Sequence, residues 1–156
     1  SLAEKYKKYA DYRNQTIEDI FSPEILKRSV KLNAKIMESC VLINKGNGSF
    51  HLQPLPAEAQ FSPVYAIAAD DFDHDGICDI IIGGNQYRAK PETGIYDASY
   101  GLFLKGYPGS IWKSVSADSS GFFTRGEIRD LKVLNIKGDP VIVVARNNNN
   151  LQFYKY

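Results

Sequence analysis

Four carboxylates crowd into nine residues of this chain, Asp71-Phe-Asp-His-Asp-Gly-Ile-Cys-Asp79. Acids packed that closely repel one another unless a cation sits among them. Oxygen donors at alternating positions suit a hard ion, and Ca²⁺ accepts about 6–8 of them with loose geometry. The spacing lets Asp71, Asp73 and Asp75 turn toward one centre. The Ile77 carbonyl adds a backbone oxygen and Asp79 closes the loop. Gly76 supplies the turn where a side chain would obstruct. The plainer reading is a polar surface turn, but turn chemistry rarely demands four acids in register.

The residues around the acids say what must position them. The twelfth position counted from Asp71 is Ile82, where an EF-hand needs a bidentate Glu. Ile80-Ile-Ile-Gly-Gly84 is a β-branched run ending in glycine, which reads as a short buried strand and a turn, not as an exiting helix. Val64-Tyr-Ala-Ile-Ala-Ala69 reads as a strand before the loop. The acids therefore belong to a calcium loop joining two strands. Asp73-His74-Asp75-Gly76 also bears a superficial resemblance to the nucleophile loop of haloacid-dehalogenase-type phosphatases. Ile77 stands where that family has Thr or Val, and no strand–helix alternation follows to build the parallel sheet its chemistry needs.

From Cys40 onward the texture is β. Strand-like runs are expected at Val41–Ile43, Ser49–Leu52, Val64–Ala69, Ile80–Ile82 and Gly101–Leu104. Others follow at Ile111–Val115, Glu127–Leu134, Val141–Ala145 and Leu151–Tyr156, all separated by Gly, Asn and Pro turns. A weak repeat runs through them. Residues 41–50 resemble 102–111, and 76–85 resemble 138–147, offsets of 61 and 62. On this register Asp71, Asp73 and Asp75 become Val133, Asn135 and Lys137, so one metal loop is expected and not two. Such a period with several strands per copy suits propeller blades.

Residues 1–39 differ. Leu2, Tyr6, Tyr9 and Ala10 fall at helical spacing, and Ile17, Ile20 and Phe21 extend the stripe. Asn14 or Thr16 can cap a new start. Ser22-Pro23-Glu24 is a helix opening, with Ile25, Leu26, Val30, Ala34, Ile36 and Met37 forming one face as far as Ser39. The expected organisation is a helical segment, 1–39, packing on or inserted beside β-blades, 40–156.

Composition narrows the classes. The 156 residues are 44% hydrophobic and 24% charged, enough for one globular core. A net charge of +1 gives no footprint for nucleic acid or an anionic membrane surface. No apolar run approaches the ~20 residues that cross a bilayer. The start at Ser1, without Met, reads as processed or truncated, so a missing signal peptide says little. Cys40 and Cys78 match no metal or redox spacing; Cys78 is expected as a small buried hydrophobe, and a bond between the two stays open. His74 is expected to face solvent between ligand positions.

Asn44-Lys-Gly-Asn-Gly-Ser-Phe50 and the loop Asp71 to Asp79 with its apolar strand resemble the VCBS or FG-GAP repeat, the integrin-α-like β-propeller blade. Residues 55–65, 94–101, 120–121 and 126–130 resemble, more narrowly, the C-terminal part of large secreted VCBS-repeat proteins of Bacteroidetes-type bacteria. The resemblance covers most of residues 36–156, and Lys45 and Asn47 depart from the family's first turn. It implies a mainly β fold, a partial propeller of about two antiparallel blades with an N-terminal helical segment. It also implies Ca²⁺ on Asp71, Asp73, Asp75, Asp79 and the Ile77 carbonyl, an extracellular, cell-surface or periplasmic location, and a non-enzymatic scaffold or adhesion role. Propellers close with about 4–8 blades, so two blades leave sheet faces for a partner or a second copy. Two other functions stay open. Trp112, Tyr87, Tyr96, Tyr100 and Tyr107 could stack on a glycan or pack between sheets. Asp97, Ser99, Arg125, Glu127, Arg129 and Asp130 lie near one another as a hydrolase would need, without a triad pattern, and Arg129 and Asp130 are expected to form a structural ion pair.

Overall fold

The computed structural model describes residues 2–156; the reading of the start at Ser1 lies outside them. The chain divides into two compact units, Ser1–Met37 and Glu38–Tyr156.

The first unit holds three short helices, α1 (Leu2–Lys5), α2 (Ile17–Ile20) and α3 (Pro23–Arg28), with a 3₁₀ turn at Tyr9–Asp11. The expected caps are in place. Asp19 Oδ2 accepts from Thr16 N (2.8 Å) and Thr16 Oγ1 (2.9 Å), and Ser22 with Pro23 opens α3. The extent is not as expected. The helix from Pro23 stops at Arg28, and the Ser29 hydroxyl donates to the Ile25 carbonyl at 2.8 Å. Residues 30–39 hold no helix. On the expected apolar face Val30 is 84% and Ile36 54% exposed, so little of that face is packed. A helix this short is marginal without such packing.

The second unit is mainly β. Its strands are β1 (Cys40–Asn44), β2 (Phe50–Pro54), β3 (Val64–Asp70), β4 (Asp79–Gly84) and β5 (Leu102–Tyr107). They continue as β6 (Ile111–Val115), β7 (Ile128–Ile136), β8 (Asp139–Arg146) and β9 (Gln152–Lys155). Every expected run forms a strand, Ile111–Val115 with the expected bounds and the others with an end displaced by one to three residues. The strands make three antiparallel sheets, none closed: the hairpin β1-β2, the meander β3-β4-β5-β6 and the meander β7-β8-β9. A short helix, α4 (Ala117–Ser120), links the meanders and ends at Gly121 in a left-handed conformation.

The main core lies between the two meanders. Ala66, Ala68, Phe72 and Ile81 meet Phe122, Ile128, Leu131, Ile142 and Val144. Small residues on β3 and Gly83 on β4 let the sheets approach; a Cβ on Gly83 would lie 2.6 Å from Ile128 Cδ1. A second cluster covers the opposite face of β4 and β5, where Ile82 and Leu104 pack with Ala59, Leu55 and Trp112. With both faces covered, β4 reads as a continuous apolar run and not an alternating one. Each large aliphatic side chain so buried contributes about 1.5–3 kcal/mol.

Candidate metal centre

The acidic segment is the β3–β4 connection. Antiparallel pairing of Asp70 with Asp79 closes its base, leaving Asp71 to Cys78 as the loop. Its backbone is shaped by its own acids. Asp71 accepts from Asp75 N (3.0 Å) through Oδ1 and from Gly76 N (2.8 Å) through Oδ2. Asp75 Oδ1 accepts from Ile77 N at 2.9 Å. His74 (φ 61°) and Gly76 (φ 86°) take the left-handed conformations that fold the loop back.

Asp71, Asp73 and Asp79 each offer a carboxylate oxygen within 4.8 Å of the others. Asp75 lies outside that group, its Oδ2 turned 2.7 Å from the ammonium of Lys105 on β5. Asp73 Oδ2 is bonded to the same ammonium. Asp79 is wholly buried; its Oδ2 accepts from Phe72 N (3.1 Å) and its Oδ1 from Gly106 N (2.7 Å). Burial pushes the Asp79 carboxyl above its ordinary pKa, against the pull of the Gly106 N–H. The bond from Lys105, and then that from Ile77 N, lowers the pKa of Asp75. The bonds to Asp73 and Asp75 push that of Lys105 up. A cluster of oxygen donors with a buried carboxylate at its base has the chemistry of a hard-cation site.

The neighbours of the acids divide by face. Cys78 is exposed, contrary to the expectation of burial, because strand alternation turns the adjacent Asp79 inward and Cys78 outward. Cys40 and Cys78 are both free thiols. His74 faces solvent, its ring 5.9 Å from that of Tyr156. The Tyr156 hydroxyl donates to Asp70 Oδ2 at 2.8 Å, tying the chain's last residue to the start of the loop. Among the described residues every strand pairing is antiparallel, so Asp73 and Asp75 lie on an antiparallel connection and not on the parallel sheet of a haloacid-dehalogenase-type site.

The chain matches no protein-family model, no curated protein and no solved structure.

Of the residues weighed for hydrolysis, Asp97, Ser99, Glu127 and Arg129, but not Arg125 and Asp130, join a second polar cluster organised by Asn85. This buried residue (φ 76°) accepts from Ser99 N (3.1 Å) and Ser62 Oγ (2.7 Å). Its amide donates to Ser99 O (2.6 Å), Gly126 O (3.0 Å) and Asp97 Oδ1 (3.1 Å). Asp97 also takes the Tyr87 hydroxyl at 2.6 Å. Arg129 pairs with Glu127 at 2.5 Å and not with Asp130. Asp130 instead lies 3.8 Å from Lys132. Arg129 also donates to Asn85 O (2.9 Å) and Asp130 Oδ1 accepts from Leu131 N (2.9 Å). Each is held by neighbouring backbone, and the two do not pair with each other as expected; the register shift between Ile128 and Asp130 breaks strand alternation there. Of the aromatics weighed for glycan binding, Tyr96 pairs with Gln86, next to Tyr87, in an isolated bridge, and the other three have core or ring partners. Trp112 joins the second core cluster and donates its indole N–H to Cys78 O at 3.1 Å. Tyr100 stacks on Phe123 at 4.9 Å with Arg125 over both rings. Tyr107 lies between Lys105 and Lys113.

Glu127 supplies a pH test of this cluster. The Tyr87 N–H (2.8 Å), the Asn147 amide (2.6 Å) and Arg129 hold its pKa below the ordinary 4.5, against the opposing effect of burial. A lowered carboxylate pKa stabilises the fold above the unfolded value and loses that contribution as pH falls through the folded value. The melting-temperature gap between wild type and Glu127→Gln is expected to stay level from about pH 7 to 5 and to narrow below about pH 4.5. A gap unchanged down to about pH 3 would show that the charge of Glu127 contributes nothing.

Lys105 and Asn85 are the residues that sequence reasoning missed. Lys105 lies far along the chain from the acids, and only the β4–β5 register, Ile80 opposite Leu104, brings it to them. Asn85 carried a signal: it follows Gly83-Gly84 at a strand end, where Asn tolerates left-handed backbone.

Proposed function

We propose that residues 71–79 are a calcium loop that staples β3 to β4, and that the β unit is a non-enzymatic, propeller-like scaffold or recognition module of a surface or secreted protein. The observation that carries this reading is the convergence of Asp71, Asp73 and Asp79 at a strand junction, with Asp79 fully buried beneath them. Asp75 and the Ile77 carbonyl would complete the ligand set. The ion's role is structural: it offsets carboxylate repulsion and holds the β3–β4 register.

The strand layout supports a blade-like reading. The stretches that resemble each other in sequence occupy hairpins in the same order, β1-β2 then β3-β4, and β5-β6 then β7-β8. Both inner hairpins carry a register shift near their start, between Val64 and Ala66 and between Ile128 and Asp130. In the second hairpin the acid loop is replaced by the tight turn Lys137-Gly138. The open sheets leave faces and edges for a protein or glycan partner, or for another copy of the chain. Among the described residues, no helix is long and apolar enough to cross a membrane.

Thermal unfolding in about 5 mM Ca²⁺ and in EDTA tests the reading. Extracellular modules bind at about 10⁻⁴–10⁻³ M, which corresponds to about 1–2 kcal/mol of stabilisation at that concentration. The expected rise in Tm is about 4–8 °C, lost in Asp73→Ala. An identical Tm with and without Ca²⁺ would remove the calcium assignment.

A further inference from the structure

The acids of the loop already face a cation supplied by the chain. Lys105 Nζ lies 2.7 Å from Asp75 Oδ2 and is bonded to Asp73 Oδ2 as well. Its seat is enforced from two sides. On β6, Lys113 stands directly across from Lys105, and like charges at opposed positions repel. Next to it, Gly106 brings the loop onto β5: a Cβ there would lie 2.3 Å from Cys78 O, and the Gly106 N–H holds Asp79. The Tyr107 ring lies 6.0 Å from the ammonium, and Lys113 already approaches that ring to 5.1 Å.

Resting on the calcium reading above, we propose that Lys105 is a built-in competitor for the loop and sets its affinity: a divalent cation enters by taking Asp73 and Asp75 from the ammonium. Lys105 thereby keeps the acids compensated at low calcium and restricts occupancy to calcium-rich surroundings. The displaced ammonium has the Tyr107 face as its alternative seat, at the cost of approaching Lys113. Both oxygens of Asp71 and of Asp79 accept from backbone N–H groups, whereas Lys105 pairs with Asp73 and Asp75, so the exchange involves those two acids.

The test is calorimetric titration of the full chain with CaCl₂, comparing wild type with Lys105→Met, Lys105→Gln and Lys113→Met. Both Lys105 variants are expected to bind Ca²⁺ about tenfold more tightly than wild type, because removing a close like charge also frees two ligands. Lys113→Met makes the same change in net charge without touching the acids, and is expected to stay within about twofold of wild type. In EDTA the Lys105 variants are expected to melt below wild type, and saturating Ca²⁺ is expected to close that gap. Wild-type affinity or weaker binding in both Lys105 variants would overturn the proposal while leaving the calcium site standing. An equal gain in Lys113→Met would overturn it too, since the effect would then be general electrostatics. No binding by any of the proteins at millimolar Ca²⁺ would instead remove the calcium reading, and this proposal with it.

Discussion

Gly84→Ala is expected to lower the Tm of the β unit by 15 °C or more, which corresponds to about 4 kcal/mol. Gly84 ends β4 opposite Val64, and a Cβ there would lie 1.6 Å from the Pro63 carbonyl oxygen and 2.8 Å from its carbon. The obstacle is backbone, so no rotamer relieves it. Moving Pro63 means withdrawing the start of β3 from the sheet at the Val64–Ala66 register shift. The same carbonyl accepts from Asn85 N at 3.3 Å, so the retreat also disturbs the residue that organises the second polar cluster. Gly46→Ala is the contrast: its φ of 82° strains any side chain, but nothing lies within 4 Å of the new Cβ. It is expected to cost only about 1 kcal/mol. Thermal melts of both variants check the pair. A drop of less than about 5 °C in Gly84→Ala would mean that the Pro63 peptide reorients freely and that the β3–β4 junction is not rigid.

Asp79→Ala is expected to cost about 3 kcal/mol in EDTA and to abolish any response to Ca²⁺. The carboxylate accepts the N–H groups of Phe72 and Gly106 in a site closed to water. Alanine leaves both donors buried and unpaired, at about 1–3 kcal/mol each. Asp79→Asn separates the structural role from the metal role. The amide retains one acceptor and removes a buried charge, whose cost is evident in the raised pKa of Asp79. That variant is expected to melt close to wild type in EDTA and still to show no rise in Ca²⁺. Denaturant titrations in each condition measure both quantities. A Ca²⁺-dependent rise that survives in Asp79→Asn would place the ion on the outer acids alone.

The two variants probe different kinds of information in the chain. Gly84 is one of a Gly-Gly pair whose turn character is plain from the residue types, yet the reason it admits no Cβ is a carbonyl twenty-one positions earlier. Asp79 closes an acid pattern readable by spacing alone. Its second partner, Gly106, arrives only through the β4–β5 pairing.

The same division runs through the molecule. Strand positions were legible because period-two alternation, β-branched runs and Gly, Asn or Pro punctuation are local properties, as at Ile80–Ile82 and Ile111–Val115. The helix expected beyond Arg28 followed an equally local pattern. It does not form because amphipathic spacing stabilises a helix only where its apolar face is packed, and Val30 and Ile36 stay exposed. The exposure of Cys78 is a matter of one-residue phase, and the Arg129–Glu127 pair sits at the register shift between Ile128 and Asp130; both depend on strand geometry and not on composition. The sequence by itself determined that three acids share one strand-connecting loop with a fourth at the strand that follows, because the acid spacing and turn glycine lie within nine residues. Only the tertiary structure decided which acids meet, which is buried, and that a lysine from β5 sits upon them, because those relations depend on strand register, which is set by the packing of whole sheets.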